Sequence, residues 1–251
     1  MLIMKPCPGI RVQKIYIPSG ARRVPALVLS PEARSAPATG VLWIHGGGYI
    51  SGMKEMVYIS RAVELVKSFG AVVVSPGYRL APFSPYPAAI DDCYAALLYM
   101  KEHAAELGAR EDQLMVGGES AGGGLCAAVC IRARDTGDVN VAFQMPLYPM
   151  LDDRDTETSR DNHGRVWNTW KNHLGWRCYL HGADRETLPP YAAPARAENM
   201  AGLPPAYTFV STGEPFYAET LEYIRRLKDC GIPASVDVYD TDMHAFDMMR
   251  P

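Results

Sequence analysis

Residues 118–122 read Gly-Glu-Ser-Ala-Gly and lie between an apolar run at 114–116 and a stretch of small residues that begins near Ala121. No other feature restricts the fold as much. G-x-S-x-G in this setting is a strand that turns at once into a helix, with the serine at the turn. So sharp a turn forces strained backbone angles on its central residue, and side chains on either neighbour would collide, hence Gly118 and Gly122 around Ser120. A strand that feeds a helix directly belongs to a sheet of parallel strands. The Ser120 hydroxyl is then expected at the carboxyl edge of that sheet, at the positive end of the helix.

The rest of the chain keeps the same rhythm. Alternation over 11–17 and the run at 25–29, separated by Ser19-Gly20, predict two antiparallel edge strands. Continuous apolar runs at 41–45 and 71–75 predict strands buried on both faces, with a helix at 58–68 as their crossover. Residues 86–107 read as one long helix with apolar positions at Ile90, Cys93, Tyr94, Leu97 and Leu98. Residues 114–117 form the strand into the sharp turn and 121–134 the helix out of it. Further strands are expected at 142–148, 207–211 and 234–239, and an amphipathic helix at 220–230 that stops at Gly231. The fold class expected is α/β, with a mostly parallel eight-stranded twisted sheet and helices on both faces, in a single domain over 1–251. One segment breaks the rhythm. Residues 152–204 hold three of the four tryptophans and no clear strand, so they are expected as a cap-like insertion with one helix at about 166–180 over the site.

Composition narrows the classes of function. Among 251 residues, a formal charge of −3 without a basic block argues against nucleic-acid binding. The longest apolar runs are too short for a membrane span. The first residues, with Lys5 and two early prolines, lack the apolar core of a signal peptide, which predicts a soluble cytoplasmic protein. Six cysteines form no CxxC pair. Cys126 and Cys130, one turn apart on a predicted helix, could present two thiolates to a metal, but no second ligand pair completes a site. Core packing and reduced thiols are the expectation, with no metal and no cofactor.

A serine so exposed suits acyl transfer if the chain supplies an oxyanion hole, a base and an orienting acid. His45-Gly46-Gly47-Gly48-Tyr49 directly follows a predicted strand, and its glycines let backbone amides face a cavity. Gly46 and Gly47 would donate two amides and Ala121 a third. A phosphate cradle is the other use of such glycines, but neither GxGxxG nor GK[ST] accompanies them. Of six histidines, His103 lies on the outer side of a helix and His163, His173 and His181 fall in the insertion. His45 starts the glycine loop and is expected to brace it. His244 follows the last strand on the correct side of the sheet and is the candidate base. Glu214, after the strand at 207–211, is the candidate acid, to fix the tautomer of His244. Glu219 is its runner-up, and Asp242, Asp152 and Asp153 are worse placed. Tyr49, Met53, Phe83, Phe216 and Phe246 are candidates to line a substrate pocket, and core packing explains them as well.

With these pieces in order, the chain resembles the hormone-sensitive-lipase-like branch of the α/β-hydrolases. HGGGY at 45–49, YRLAP at 78–82, YPAAIDD at 86–92, GESAGG at 118–123, GLPPAY at 202–207 and HAF at 244–246 follow the family's order and spacing over most of the chain. The resemblance implies a carboxylesterase that takes small-molecule esters of short acyl chains, uses no cofactor and often forms a homodimer. Amide or N-acetyl hydrolysis and deacetylation of sugars share the same triad. A small-molecule receptor on a decayed hydrolase fold is the alternative of another class, and the survival of serine, histidine and acid speaks against it. The chain departs from the family in three ways. Glu214 stands where the family has Asp, and Glu119 stands in the elbow where Asp is common. The third concerns the ends. The first strand begins by about Arg11, where many relatives carry a helical cap, so the lid is expected to come from 152–204. The chain stops seven residues after His244, where relatives continue with a closing helix. That helix is expected to be missing, with a partner chain covering its face.

Overall fold

A computed structural model describes residues 7–33 and 36–249. The edge hairpin forms as the alternation requires, β1 (Ile10–Ser19) pairing antiparallel with β2 (Arg22–Pro31). The strands β3 (Ala38–Ile44), β4 (Val72–Pro76), β5 (Ala109–Glu119), β6 (Val141–Leu147), β7 (Ala206–Ser211) and β8 (Ala234–Tyr239) complete one eight-stranded sheet. The order is β1-β2-β4-β3-β5-β6-β7-β8, and every pairing from β4 to β8 is parallel. The helices are α1 (Ala62–Phe69), α2 (Ala88–Glu102), α3 (Ala104–Leu107), α4 (Ala121–Thr136), α5 (Thr169–Tyr179), α6 (Tyr217–Asp229) and the single turn α7 (Phe246–Met249).

Alternation within the buried strands builds two cores. Leu42 and Ile44 of β3 join Val72 and Val74 of β4 in one, against Ile90 and Leu97 of α2, Leu125 and Val129 of α4, and Ile224 and Leu227 of α6. Val41, Trp43 and Val73 point the other way, to Val66 of α1 and Phe209 of β7. Apolar runs without alternation are therefore strands covered on both faces.

Three boundaries differ from expectation. The helix expected at 58–68 is a 3₁₀ turn over Lys54–Ile59 followed by α1. Ser60 separates them, its hydroxyl donating to the Val57 carbonyl and accepting from the Ala62 amide. The long helix at 86–107 divides at His103 into α2 and α3, and Leu98 lies on an exposed face of α2. The division brings the chain down to the sheet, where Ala109 pairs with Ala38. Consequently β5 starts five residues before the expected 114. Opposite Thr39 and Gly40 of β3 the register jumps from Arg110 to Leu114, so the charged residues 111–113, which read as loop in sequence, form a bulge within β5.

The topology places a crevice. From β3 the chain crosses to β4 on one side, then returns past β3 to β5 on the other, so strand order reverses between β3 and β5. Ligands bind at such a switch point, beyond the carboxyl ends of the strands. Ile44 is in register with Gly118, so the loop after β3 and the turn after β5 leave the sheet side by side. The loop after β4 is locked nearby. Arg79 grips the fully buried Asp92 through Nε and Nη2, both at 2.8 Å, and through its backbone amide at 3.0 Å, and the Ser19 hydroxyl adds a bond at 2.7 Å. The YRLAP and YPAAIDD segments are thus the two halves of one bridge.

Candidate active site

At the end of β5 the backbone of Ser120 adopts φ 57 and ψ −119 before α4 begins at Ala121. A Cβ on Gly122 would lie 2.1 Å from the Ile44 carbonyl oxygen, so the elbow meets β3 closely enough to require glycine. The turn is fixed by its backbone: the Ser120 amide donates to Leu147 and its carbonyl accepts from Met150, both at 3.0 Å. Ser120 retains 6% exposure.

The structure brings Ser120, His244 and Glu214 into one relay. His244 Nε2 lies 2.9 Å from Ser120 Oγ, and its Nδ1 is hydrogen-bonded to Glu214 Oε2. Glu214 Oε1 accepts from the Ser211 amide at 2.8 Å and the Ser211 hydroxyl at 3.1 Å, which fixes the carboxylate at the end of β7. Both Glu214 and His244 are buried. Tyr148 and Phe216 each meet the His244 ring nearly at right angles, with centroids 5.1 Å away. An imidazole held on both nitrogens and on its ring can pass a proton without first reorienting.

The other acids considered are engaged elsewhere. Glu219 accepts from the Leu151 amide at 2.8 Å, and burial raises its carboxyl well above the usual range. Asp152 pairs with Arg154, and Asp153 with Arg196 and Arg185. Asp242 is exposed beside Gly213.

The glycine loop lies against the elbow. A Cβ on Gly46 would come within 3.2 Å of Ser120 Cβ. The Gly47 carbonyl is turned back to the amides of Ile50 and Ser51. Ala121 is the first residue of α4, where an amide has no partner within the helix. His45 braces this loop. Its Nδ1–H donates to the Gly46 carbonyl at 2.8 Å, and its ring stacks on Tyr78 at 4.2 Å, whose hydroxyl donates to the His45 carbonyl. Burial lowers its pKa to about 4, so the ring stays neutral. His163, His173 and His181 are exposed, and His103 lies beside Glu106 on the surface.

The five aromatic and methionine candidates do not converge. Phe216 touches His244, and Tyr49 follows the glycine loop but is buried, stacked on Tyr179 with its hydroxyl donating to the Met150 carbonyl. Phe83 is 93% exposed and Met53 is exposed. Phe246 packs with Phe209 and Tyr239, in a groove of about 390 Å³ shared with Leu65, Phe69 and Met145. Sequence reasoning missed Trp167. Its indole covers Gly48 so closely that a Cβ there would fall 2.0 Å from the ring, and Gly175 of α5 packs on the Gly48 carbonyl. The insertion therefore rests on the glycine loop. Cys126 and Cys130 are buried in the core, the Cys126 thiol donating to the Val116 carbonyl. Among the described residues no helix is long and apolar enough to cross a membrane.

A family model described as the alpha/beta hydrolase fold matches residues 41–248. The chain belongs to the α/β-hydrolases, in their hormone-sensitive-lipase-like branch. This hydrolase is 35% identical over 218 residues to esterase LipI of Mycobacterium tuberculosis, a match covering 86% of the chain and 67% of LipI. It is 32% identical to carboxylic ester hydrolase LipN of the same organism, over 94% of the chain and 64% of LipN. Among solved structures, a bacterial heroin esterase superposes with a TM-score of 0.91 at 35% identity, covering 95% of this chain and 77% of that one. The hydrolase thus spans about two thirds of the length of these curated relatives.

Proposed function

We propose that this hydrolase is a serine carboxylesterase acting on short-chain acyl esters. The observation that carries the reading is the buried relay from Ser120 through His244 to Glu214, with the glycine loop packed against the serine. Its relatives' names point to esters rather than amides or acetylated sugars.

In the proposed mechanism His244 Nε2 takes the proton of Ser120 as Oγ attacks the ester carbonyl. The amides of Gly46, Gly47 and Ala121 hold the oxyanion of the tetrahedral intermediate, and preorganised donors of this kind contribute roughly 3–4 kcal/mol each. The intermediate collapses as the imidazolium returns its proton to the departing alcohol, leaving an acyl-serine. A water deprotonated by His244 then adds to the acyl carbonyl, and Ser120 leaves with the proton restored. Glu214 keeps Nδ1 protonated and stabilises the imidazolium throughout.

The same reading takes the chain as one domain, with 152–204 closing over the site through Trp167. Phe216, beside His244, and Trp167, on Gly48, are the side chains assigned to the walls of the acyl pocket. Association of two copies belongs to this reading as well, and light scattering of the purified chain tests it. A series of p-nitrophenyl esters from acetate to palmitate tests the substrate class. We expect the largest kcat/KM at acetate or butyrate and a steep fall beyond. A preference for palmitate would contradict the short-chain assignment.

A further inference from the structure

His244 sits between the end of β8 and the single turn α7, a short peg for a catalytic base. Ala245, directly after it, has φ 56, a conformation that persists in a non-glycine residue only where its surroundings over-determine it. The surroundings here centre on Asp247, three residues after His244. Its side chain is 1% exposed. Oδ2 accepts from Arg61 Nε at 3.1 Å, which ties α7 to the start of α1. Oδ1 accepts from the Tyr148 hydroxyl at 2.9 Å. Tyr148 follows β6, its ring fully buried and packed at 80° on the His244 imidazole. Tyr148 itself has φ 34, and its amide donates to Phe209 of β7.

Each contact fixes a different degree of freedom. Ser120 and Glu214 hold the imidazole along the line of its two nitrogens. Rotation about that line is limited by the rings that abut it, and one of those rings ends in a hydroxyl that donates to Asp247. Arg61 Nε in turn holds the Asp247 carboxylate in place from the start of α1. We propose that Asp247, anchored by Arg61 and acting through Tyr148, is a positioning residue that sets the orientation of the catalytic imidazole of His244. This rests on the assignment of His244 as the base in ester hydrolysis.

The assignment distinguishes positioning from bulk stability. Misplacing a reacting group by about 1 Å can cost a hundredfold in rate, while substrate binding need not change. Two substitutions probe it: Asp247→Asn, which removes the charge with little change in shape, and Tyr148→Phe, which keeps the ring and deletes one oxygen. With p-nitrophenyl acetate each should lower kcat by roughly tenfold to a hundredfold, with KM within about twofold of the wild type. The double variant should be no slower than the slower single variant, because both break one path. Glu64→Gln, at an exposed residue that approaches Arg61 but not Asp247, serves as the surface control and should leave kcat unchanged.

Folded Asp247→Asn and Tyr148→Phe with wild-type kcat would overturn the proposal. So would losses that multiply in the double variant, which mark two independent effects. Tyr148→Phe alone carries the test if Asp247→Asn does not fold. Failure of the underlying ester-hydrolase reading looks different: the wild type itself would neither turn over the ester nor react with a fluorophosphonate probe.

Discussion

Ser120 holds backbone angles that cost a non-glycine residue about 1–3 kcal/mol, and its neighbours impose them through the Leu147 and Met150 hydrogen bonds and the close approach of Gly122 to Ile44. That local demand is why the serine can be found from five letters of sequence. His244 and Glu214 are legible for a related reason: each must stand at the carboxyl end of a strand, so strand order nearly selects them. Tyr148, Asp247 and Arg61 have no such signature, because their significance lies in contacts across 99 and 186 positions. Aromatic residues near the motifs were equally opaque, since residue type does not tell which side of a sheet Phe246 will take. Replacing Glu214 by Gln keeps the shape but loses the charge that orients His244, and kcat should fall by roughly 10³–10⁴ in steady-state assays. Glu119 yields a prediction of another kind. Burial first, and the Asp247 charge second, push its carboxyl up to about 8, while Trp43 donates to Oε1 at 2.9 Å and Oε2 has no partner among the described residues. Between its ordinary value of 4.5 and about 8 the folded chain keeps a proton that the unfolded chain has released. The stability it contributes is therefore complete below about pH 4.5 and lost as pH rises through about 8. Relative to wild type, Glu119→Gln should show a flatter decline of Tm across that range by scanning calorimetry; parallel profiles would contradict the assignment.

Among the elements, the glycine loop and the insertion depend on one another. Gly48 has φ +61 and carries the Trp167 indole where a side chain would stand. Gly48→Ala must displace either the ring or the loop, and with the loop go the amides assigned to the oxyanion. We expect kcat to drop by roughly a hundredfold, the scale of losing one oxyanion donor, with a smaller effect on KM; unchanged kcat would separate the loop from catalysis. Periodicity located every strand and most helices because those elements bury one or both faces. It failed where backbone pairing outweighs local polarity, as in the charged start of β5, and where the chain must turn down to the sheet, as at His103. The insertion was recognisable as irregular, but its point of contact on Gly48 was not, since a lone tryptophan has no period.

At the scale of the molecule, the site exists because strand order reverses between β3 and β5 and because the loops around that crevice are locked. The Arg79–Asp92 bridge joins the edge hairpin, the loop after β4 and α2, and it sets Tyr78 against His45. Asp92→Asn should lower unfolding stability by about 3 kcal/mol, discounted from the upper end for buried pairs because Arg79 is partly exposed. Urea unfolding followed by fluorescence measures this, and a loss under about 0.5 kcal/mol, the scale of an ordinary surface substitution, would mean the bridge is incidental. The central claim is that Ser120 is the nucleophile of an ester hydrolase. Treatment with a fluorophosphonate probe, followed by mass spectrometry of the digested protein, reads it directly. The account predicts one adduct, on Ser120, that parallels loss of p-nitrophenyl butyrate hydrolysis and is absent from Ser120→Ala. An unlabelled wild type, or hydrolysis that persists in Ser120→Ala, would contradict it.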